Sequence, residues 1–208
     1  MKDDAAEKYC TLMNELKKRQ ALMKRVGEGH VPWLVLEAQM EFVYLQFRQI
    51  LELIAMASLV ANADAFRTIR ENIHTYWNAE KLLKDLAAAN PHFYPKPINK
   101  VASAIPGVRE SFVDRKDDFL SKEKFVTLYN TCGSVLHSRN PFAQPIDYQT
   151  LNSNAPKWYF RITNLLNFHT IQLVGSDDLH LIQMGDPTQS ATYQNFVKTA
   201  PPWESTSG

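Results

Sequence analysis

The chain has 208 residues, 45% of them hydrophobic and 22% charged, with a formal net charge of +1. That length sustains one domain with a sizeable core, and the near-neutral balance excludes a globally basic nucleic-acid or membrane binder, so any such partner needs a local patch. Cys10 and Cys132 lie far apart inside helical patterns, which fits free thiols in a reducing compartment rather than a disulfide framework.

The opening stretch, MKDDAAEKYC, is acidic and polar. It lacks the basic start and apolar run of a secretory signal, so a cytoplasmic location is expected. Leu12, Leu16, Leu22, Met23 and Val26 recur at helical spacing and predict a first helix over about 4–26. Lys17, Lys18, Arg19, Lys24 and Arg25 gather toward its end, as the helix dipole favours, and read as a solvated helix end. Gly27-Glu28-Gly29 breaks it.

Pro32 suits a first helical turn, and the second helix is predicted from there to about Ala61. Its second half, LQFRQILELIAMASLVA, is apolar almost all round and nears membrane-spanning length. Arg48 and Glu52 inside it are costly at a bilayer centre. A buried central helix is expected, and no membrane partner.

A third helical segment covers about 64–76, and a fourth, about 78–89, stops at Asn90-Pro91. The stretch over about 90–118 has Pro95, Pro97 and Pro106 and no helical period, which predicts an irregular, extended excursion with room for one or two short strands. Ser121 is a good N-cap for a helix over about 122–138. A last helix is predicted over about 147–168, where Pro156 allows a break into two pieces. TIQLV and LHLIQM then alternate around GSDD and predict a β-hairpin over about 169–184. The fold expectation is mainly α: a helical bundle forming one domain over 1–199, with a Pro-rich excursion (about 90–118), a C-terminal β-hairpin (about 169–184) and a loose tail over 200–208. No internal repeat is present.

Two constellations carry chemistry. Arg48 and Glu52 are spaced i, i+4 and share one helix face. They read either as an ion pair at the core edge or as part of a polar cleft in which Arg48 binds an anion. The second constellation is TLYNTCGSVLHSRNPF. Phe125, Leu128, Tyr129, Cys132, Val135 and Leu136 form an apolar stripe, while Asn130, Ser134 and His137 form a polar one. Gly133 borders both. A mid-helix glycine costs about 1 kcal/mol against alanine, so close approach by a backbone or ligand is expected there. His137 is a proton-transfer group near neutral pH, and Arg139 beside it can grip a phosphate or carboxylate. The same residues, with Asn140 before Pro141, equally fit a helix C-terminus bonding its last carbonyls.

His74, His92, His169 and His180 are scattered among elements and read as structural or solvated. No P-loop, GxGxxG, CxxC or HExxH spacing occurs, so neither a metal nor a cofactor is expected.

The pairing of FRQILE on a long apolar helix with YNTCGSVLHSRNPF on a later one resembles the HEPN superfamily of bacterial helical bundles. More closely, it resembles a branch of bacterial proteins with an [RK]xxLE-type second helix and a Y-x-x-C/S-G-x-x-L-H-x-R-N-P segment. The resemblance covers mainly 40–90 and 118–142. It implies either a metal-independent ribonuclease of a toxin or phage-defence system, commonly dimeric, or a bundle that binds ligands or partners. Active members carry Arg-x4–6-His. Here positions 131 to 133 are Thr, Cys and Gly, so no arginine stands at that spacing before His137. The one formal match, Arg25 to His30, spans a glycine break.

The expected function is a HEPN-like, non-enzymatic bundle binding a partner, RNA or a small anionic ligand, as a homodimer in some such bundles. The alternative is a divergent metal-independent ribonuclease. In that case His137 takes the proton of a ribose 2′-hydroxyl and Arg139 or Arg48 stabilises phosphate charge. Glu52, Tyr129, Asn130, Gly133 and Asn140 complete the candidate site.

Overall fold

The computed structural model describes residues 2–30, 35–61, 79–137, 144–172 and 179–196. The expected helix over 64–76, Arg139, Asn140 and the tail over 200–208 lie outside the described residues.

Helix α1 is Lys2–Gly27, a single run ending where glycines were expected to stop it. Its buried stripe is Tyr9, Met13, Leu16, Met23 and Val26, whereas Leu22 is 41% exposed. The composition pattern therefore identified the helix but placed one leucine on the wrong face. Met13 and Tyr9 are the inward positions one and two turns before Leu16.

Helix α2, Leu36–Ala61, is the centre of the fold. Phe47, Ile50, Leu51 and Ile54 have no exposed surface, and each such burial stabilises the fold by about 1.5–3 kcal/mol. α1 packs along one side of α2, and the later helices cover others. α2 is long and apolar enough to cross a membrane, yet 61% of its apolar window is buried within this chain. That is the pattern of a core helix.

Helix α3 is Ala79–Ala89. Helix α4, Lys122–Leu136, starts at the expected cap, with the Ser121 side chain accepting from the Lys124 N–H at 3.3 Å. Helix α5, Tyr148–Leu166, starts at Asp147, whose Oδ1 accepts from the Thr150 N–H at 3.0 Å. α5 runs unbroken through Pro156, so the two-piece expectation is not met. Ile162, Leu165 and Leu166 anchor its second half in the core, and that packing holds the helix together across the missing hydrogen bond.

The β part is larger than the sequence implied. Strands β1 (Lys96–Ala102), β2 (Glu110–Asp114), β3 (Phe168–Gln172), β4 (Leu179–Gln183) and β5 (Thr192–Phe196) form one antiparallel sheet in the order β2-β1-β3-β4-β5. The one or two short strands that the Pro-rich excursion had room for are present as the hairpin β1–β2, more regular than expected. The C-terminal hairpin expectation is corrected, because β3–β4 is only the middle of a five-stranded sheet. Pro95 and Pro106 lie outside the strands, and Pro97 sits near the start of β1, where β1 meets β3 only at Lys96↔Thr170 and Pro97↔His169. Beyond that point β1 and β2 leave as a two-stranded arm. Lys96–Asp114 and Lys100–Glu110, each at 2.7 Å, tie the arm across its strands. The arm curls over the sheet: Phe112 on β2 lies 5.9 Å from Phe196 on β5 and 5.6 Å from Phe168 on β3. The two edge strands thus touch through aromatic rings.

Two contacts fasten sheet to helices. His169 Nδ1 lies 2.7 Å from the Leu166 carbonyl, and its Nε2 2.8 Å from the Tyr9 hydroxyl. A carbonyl only accepts, so Nδ1 carries the proton and Nε2 accepts from Tyr9. Lys17 on α1 donates to the carbonyls of Met184, Asp186 and Gln189 at 2.6, 2.6 and 2.5 Å. This saturates its three donors and pins the turn between β4 and β5. Lys17 was expected to be a solvated helix-end cation, and its role here was not legible from the basic run.

Candidate functional site

Arg48 occupies the α2 turn between fully buried Phe47 and Leu51, but its head emerges where α4 crosses. Its Nε donates to Glu52 Oε1 at 3.2 Å. Its Nη2 donates to the Tyr129 hydroxyl at 2.9 Å, and the guanidinium carbon stands 4.7 Å from the centre of that ring. A bond to each neighbour and a ring face fix the guanidinium plane, which a lysine could not reproduce. The pair is part-exposed, with side-chain exposures of 22% for Arg48 and 41% for Glu52. Such a pair is worth little to stability by itself.

The third nitrogen is the informative one. Nη1 makes no hydrogen bond among the described residues, and it lies 4.0 Å from the point where a Cβ on Gly133 would stand. His137 Cδ2 lies at the same 4.0 Å from that point. The spacing Gly133 to His137 is one helical turn, so the ring folds back over the glycine. Among the described residues nothing packs closer on Gly133, so the expected tight backbone approach is not found there. The glycine instead leaves a methyl-sized gap between a guanidinium and an imidazole.

The helix ends at His137, as the capping expectation has it, while Arg139 and Asn140 lie outside the described residues. The His137 N–H donates to the Gly133 carbonyl at 3.2 Å, and its backbone turns extended (φ −85, ψ 148). The backbone of His137 thus ends α4, while its ring is left over: it is exposed and makes no hydrogen bond among the described residues. Likewise Arg48 and Glu52 do pair, yet at the surface beside His137 rather than inside the core.

Of the residues singled out from sequence, Arg48, Glu52, Tyr129, Gly133 and His137 come together. Asn130 is exposed and makes no hydrogen bond to any of them. Cys132 sits behind Tyr129 with no exposed surface, and burial pushes its thiol up to about 12. It is a packing residue, not a nucleophile. Burial, opposed by Arg48, also raises the Tyr129 phenol, which stays neutral as an acceptor. Among the described residues, no three His, Cys, Asp or Glu converge where a metal ion could be held.

No family model, curated protein or solved structure matches this chain. The chemistry of the cluster is its own guide. Among the described residues, one guanidinium with an N–H pair that makes no hydrogen bond and one imidazole edge, presented through Cδ2, flank Gly133. The guanidinium can donate to an anion there. Proton transfer asks more: a base held in one tautomer by a third group. No such orienting partner touches the His137 ring among the described residues.

Proposed function

We propose that this chain is a HEPN-like bundle of non-enzymatic binding type, and that it holds a small anionic ligand between Arg48 and His137. The observation that carries this is the shared 4.0 Å approach of Arg48 Nη1 and His137 Cδ2 to the empty side of Gly133. Glu52 and Tyr129 spend two nitrogens of Arg48 on orientation and leave the third for the ligand. The nearby Glu52 carboxylate limits the charge the site can take, which favours a monoanion or an oxyanion met edge-on over a polyanion. A cytoplasmic setting belongs to the same proposal and is supported by buried, unpaired Cys10 and Cys132.

The ribonuclease reading keeps one observation in its favour. An exposed imidazole next to a guanidinium is the pairing that metal-independent cleavage at a ribose 2′-hydroxyl uses. The His137 ring, without an orienting partner among the described residues, and the lack of an arginine at the Arg-x4–6-His spacing before it weigh against it. The test is a titration of wild type and Arg48→Gln with inorganic phosphate, run beside an RNA cleavage assay in EDTA. Binding that Arg48→Gln abolishes, with no cleavage, supports the binding module. Cleavage that His137→Ala abolishes replaces it with the ribonuclease.

A further inference from the structure

A second site stands on different residues. The end of α1, the start of α2 and the middle of α5 enclose a cleft of ≈ 480 Å³. That is within the range of small-molecule pockets, about 300–1,000 Å³. Its floor is apolar and tightly packed: Met23, Met40 and Val43 are each at most 5% exposed. Phe160, 62% exposed, stands at its rim. Two methionines in a floor suit a flat, polarizable ligand, since thioether sulfur packs well against aromatic edges.

One wall carries a feature that the sequence builds deliberately. Pro156 lies inside α5 and lines the cleft together with Asn152, one turn earlier. Proline has no N–H, so the Asn152 carbonyl is without the donor that every other residue at this position would supply. A few residues on, the Tyr159 hydroxyl also faces this region and makes no hydrogen bond among the described residues. The cleft thus joins an apolar floor to a polar margin, where Lys24 and Glu28 pair at 3.6 Å and Gln39 also lines the wall, and the acceptor freed by the helix-internal proline adds a group that can orient a ligand.

We propose that this cleft binds a small, flat, apolar molecule carrying one N–H or O–H donor, seated on Met23, Met40 and Val43 and donating to the Asn152 carbonyl. The site is independent of the Arg48 cluster, so either can fail without the other.

The probe is indole, with 1-methylindole as the same shape without its donor, each titrated into the full chain by calorimetry. Wild type is expected to bind indole saturably and 1-methylindole roughly two- to tenfold more weakly, the range that one neutral hydrogen bond gives. Pro156→Ala returns an N–H to the Asn152 carbonyl. It should raise the melting temperature and bring the two affinities together. Ala155→Phe fills the cleft from α5 and should abolish binding of both probes. If Ala155→Phe does not fold, as circular dichroism would report, Pro156→Ala decides alone. No saturable indole binding by wild type overturns the proposal, as does a Pro156→Ala protein that keeps the full preference for indole. Undiminished binding in folded Ala155→Phe also overturns it.

Discussion

The hydroxyl of Tyr129 accepts from Arg48 Nη2 at 2.9 Å while the same ring lies 4.7 Å beneath the guanidinium carbon. One side chain thus supplies both the hydrogen bond and the platform that aim Arg48. The two contributions separate by mutation. Tyr129→Phe keeps the platform and removes the acceptor. Phosphate affinity is expected to fall about two- to tenfold, the range of one hydrogen bond, with little change in melting temperature because the hydroxyl is only part-buried. Tyr129→Ala should lose both the affinity and, through the vacated volume beside Cys132, about 2–4 kcal/mol of stability. Phosphate titration and urea denaturation on the two variants check this.

Gly133 offers a test that pulls stability and binding in opposite directions. Among the described residues, a Cβ there meets only Arg48 Nη1 and His137 Cδ2, both at 4.0 Å, an ordinary contact distance. Gly133→Ala should therefore stabilise α4 by about 1 kcal/mol, the helix-propensity difference. The same methyl fills the gap between guanidinium and imidazole, so phosphate binding should drop at least severalfold. A protein that is more stable and binds phosphate unchanged would mean the gap is not the site.

The buried His169 makes a pH prediction. Burial lowers its pKa from 6.5 to about 4, partly opposed by the Leu166 carbonyl. The folded state therefore holds the ring neutral, while the unfolded chain protonates near 6.5. Stability is full above pH 6.5 and declines as pH falls toward 4. The size is on the order of 3 kcal/mol. Urea midpoints between pH 7.5 and 4.5 should fall in wild type. The decline should be flatter in His169→Phe, which has no proton to gain. Tyr9→Phe removes the donor to Nε2 and should cost about 1–3 kcal/mol at pH 7, because a buried acceptor is left without a partner.

Lys17 holds three carbonyls of the β4–β5 turn at 2.5–2.6 Å. Lys17→Met preserves the stem and removes the donors. Amide exchange is expected to rise over residues 184–191, with the α1 amides little changed, and stability to fall by about 1–3 kcal/mol. Equal protection in the variant would show that the turn does not depend on the ammonium.

The helices were legible because their signals are local. Ser121 caps α4 as its residue type predicts, and α2 is buried as its unbroken apolar run implies. The sheet was not, because its signals are not local. β5 reads Thr-Tyr-Gln-Asn-Phe, with no apolar alternation, and becomes a strand only by pairing with β4. The arm β1–β2 is held by charge pairs such as Lys100–Glu110 and by Phe112 reaching Phe196 across the sheet, contacts no periodicity shows. For the site, the sequence indicated Arg48, Glu52, Gly133 and His137 as residues of interest. Whether two helices bring them together is a question of crossing geometry. Tyr129, placed both in the apolar stripe and in the candidate site, is the α4 residue that holds Arg48. Pro156, where a break into two pieces was allowed, lies inside a continuous helix.

The most direct measurement is a two-dimensional NMR titration of the full chain with inorganic phosphate, in wild type and in Arg48→Gln. The anion site predicts saturable shifts centred on Tyr129 to His137 and on the α2 turn around Arg48, absent in Arg48→Gln and weakened in His137→Ala. Shifts that stay linear with phosphate, or that persist unchanged in Arg48→Gln, would contradict it.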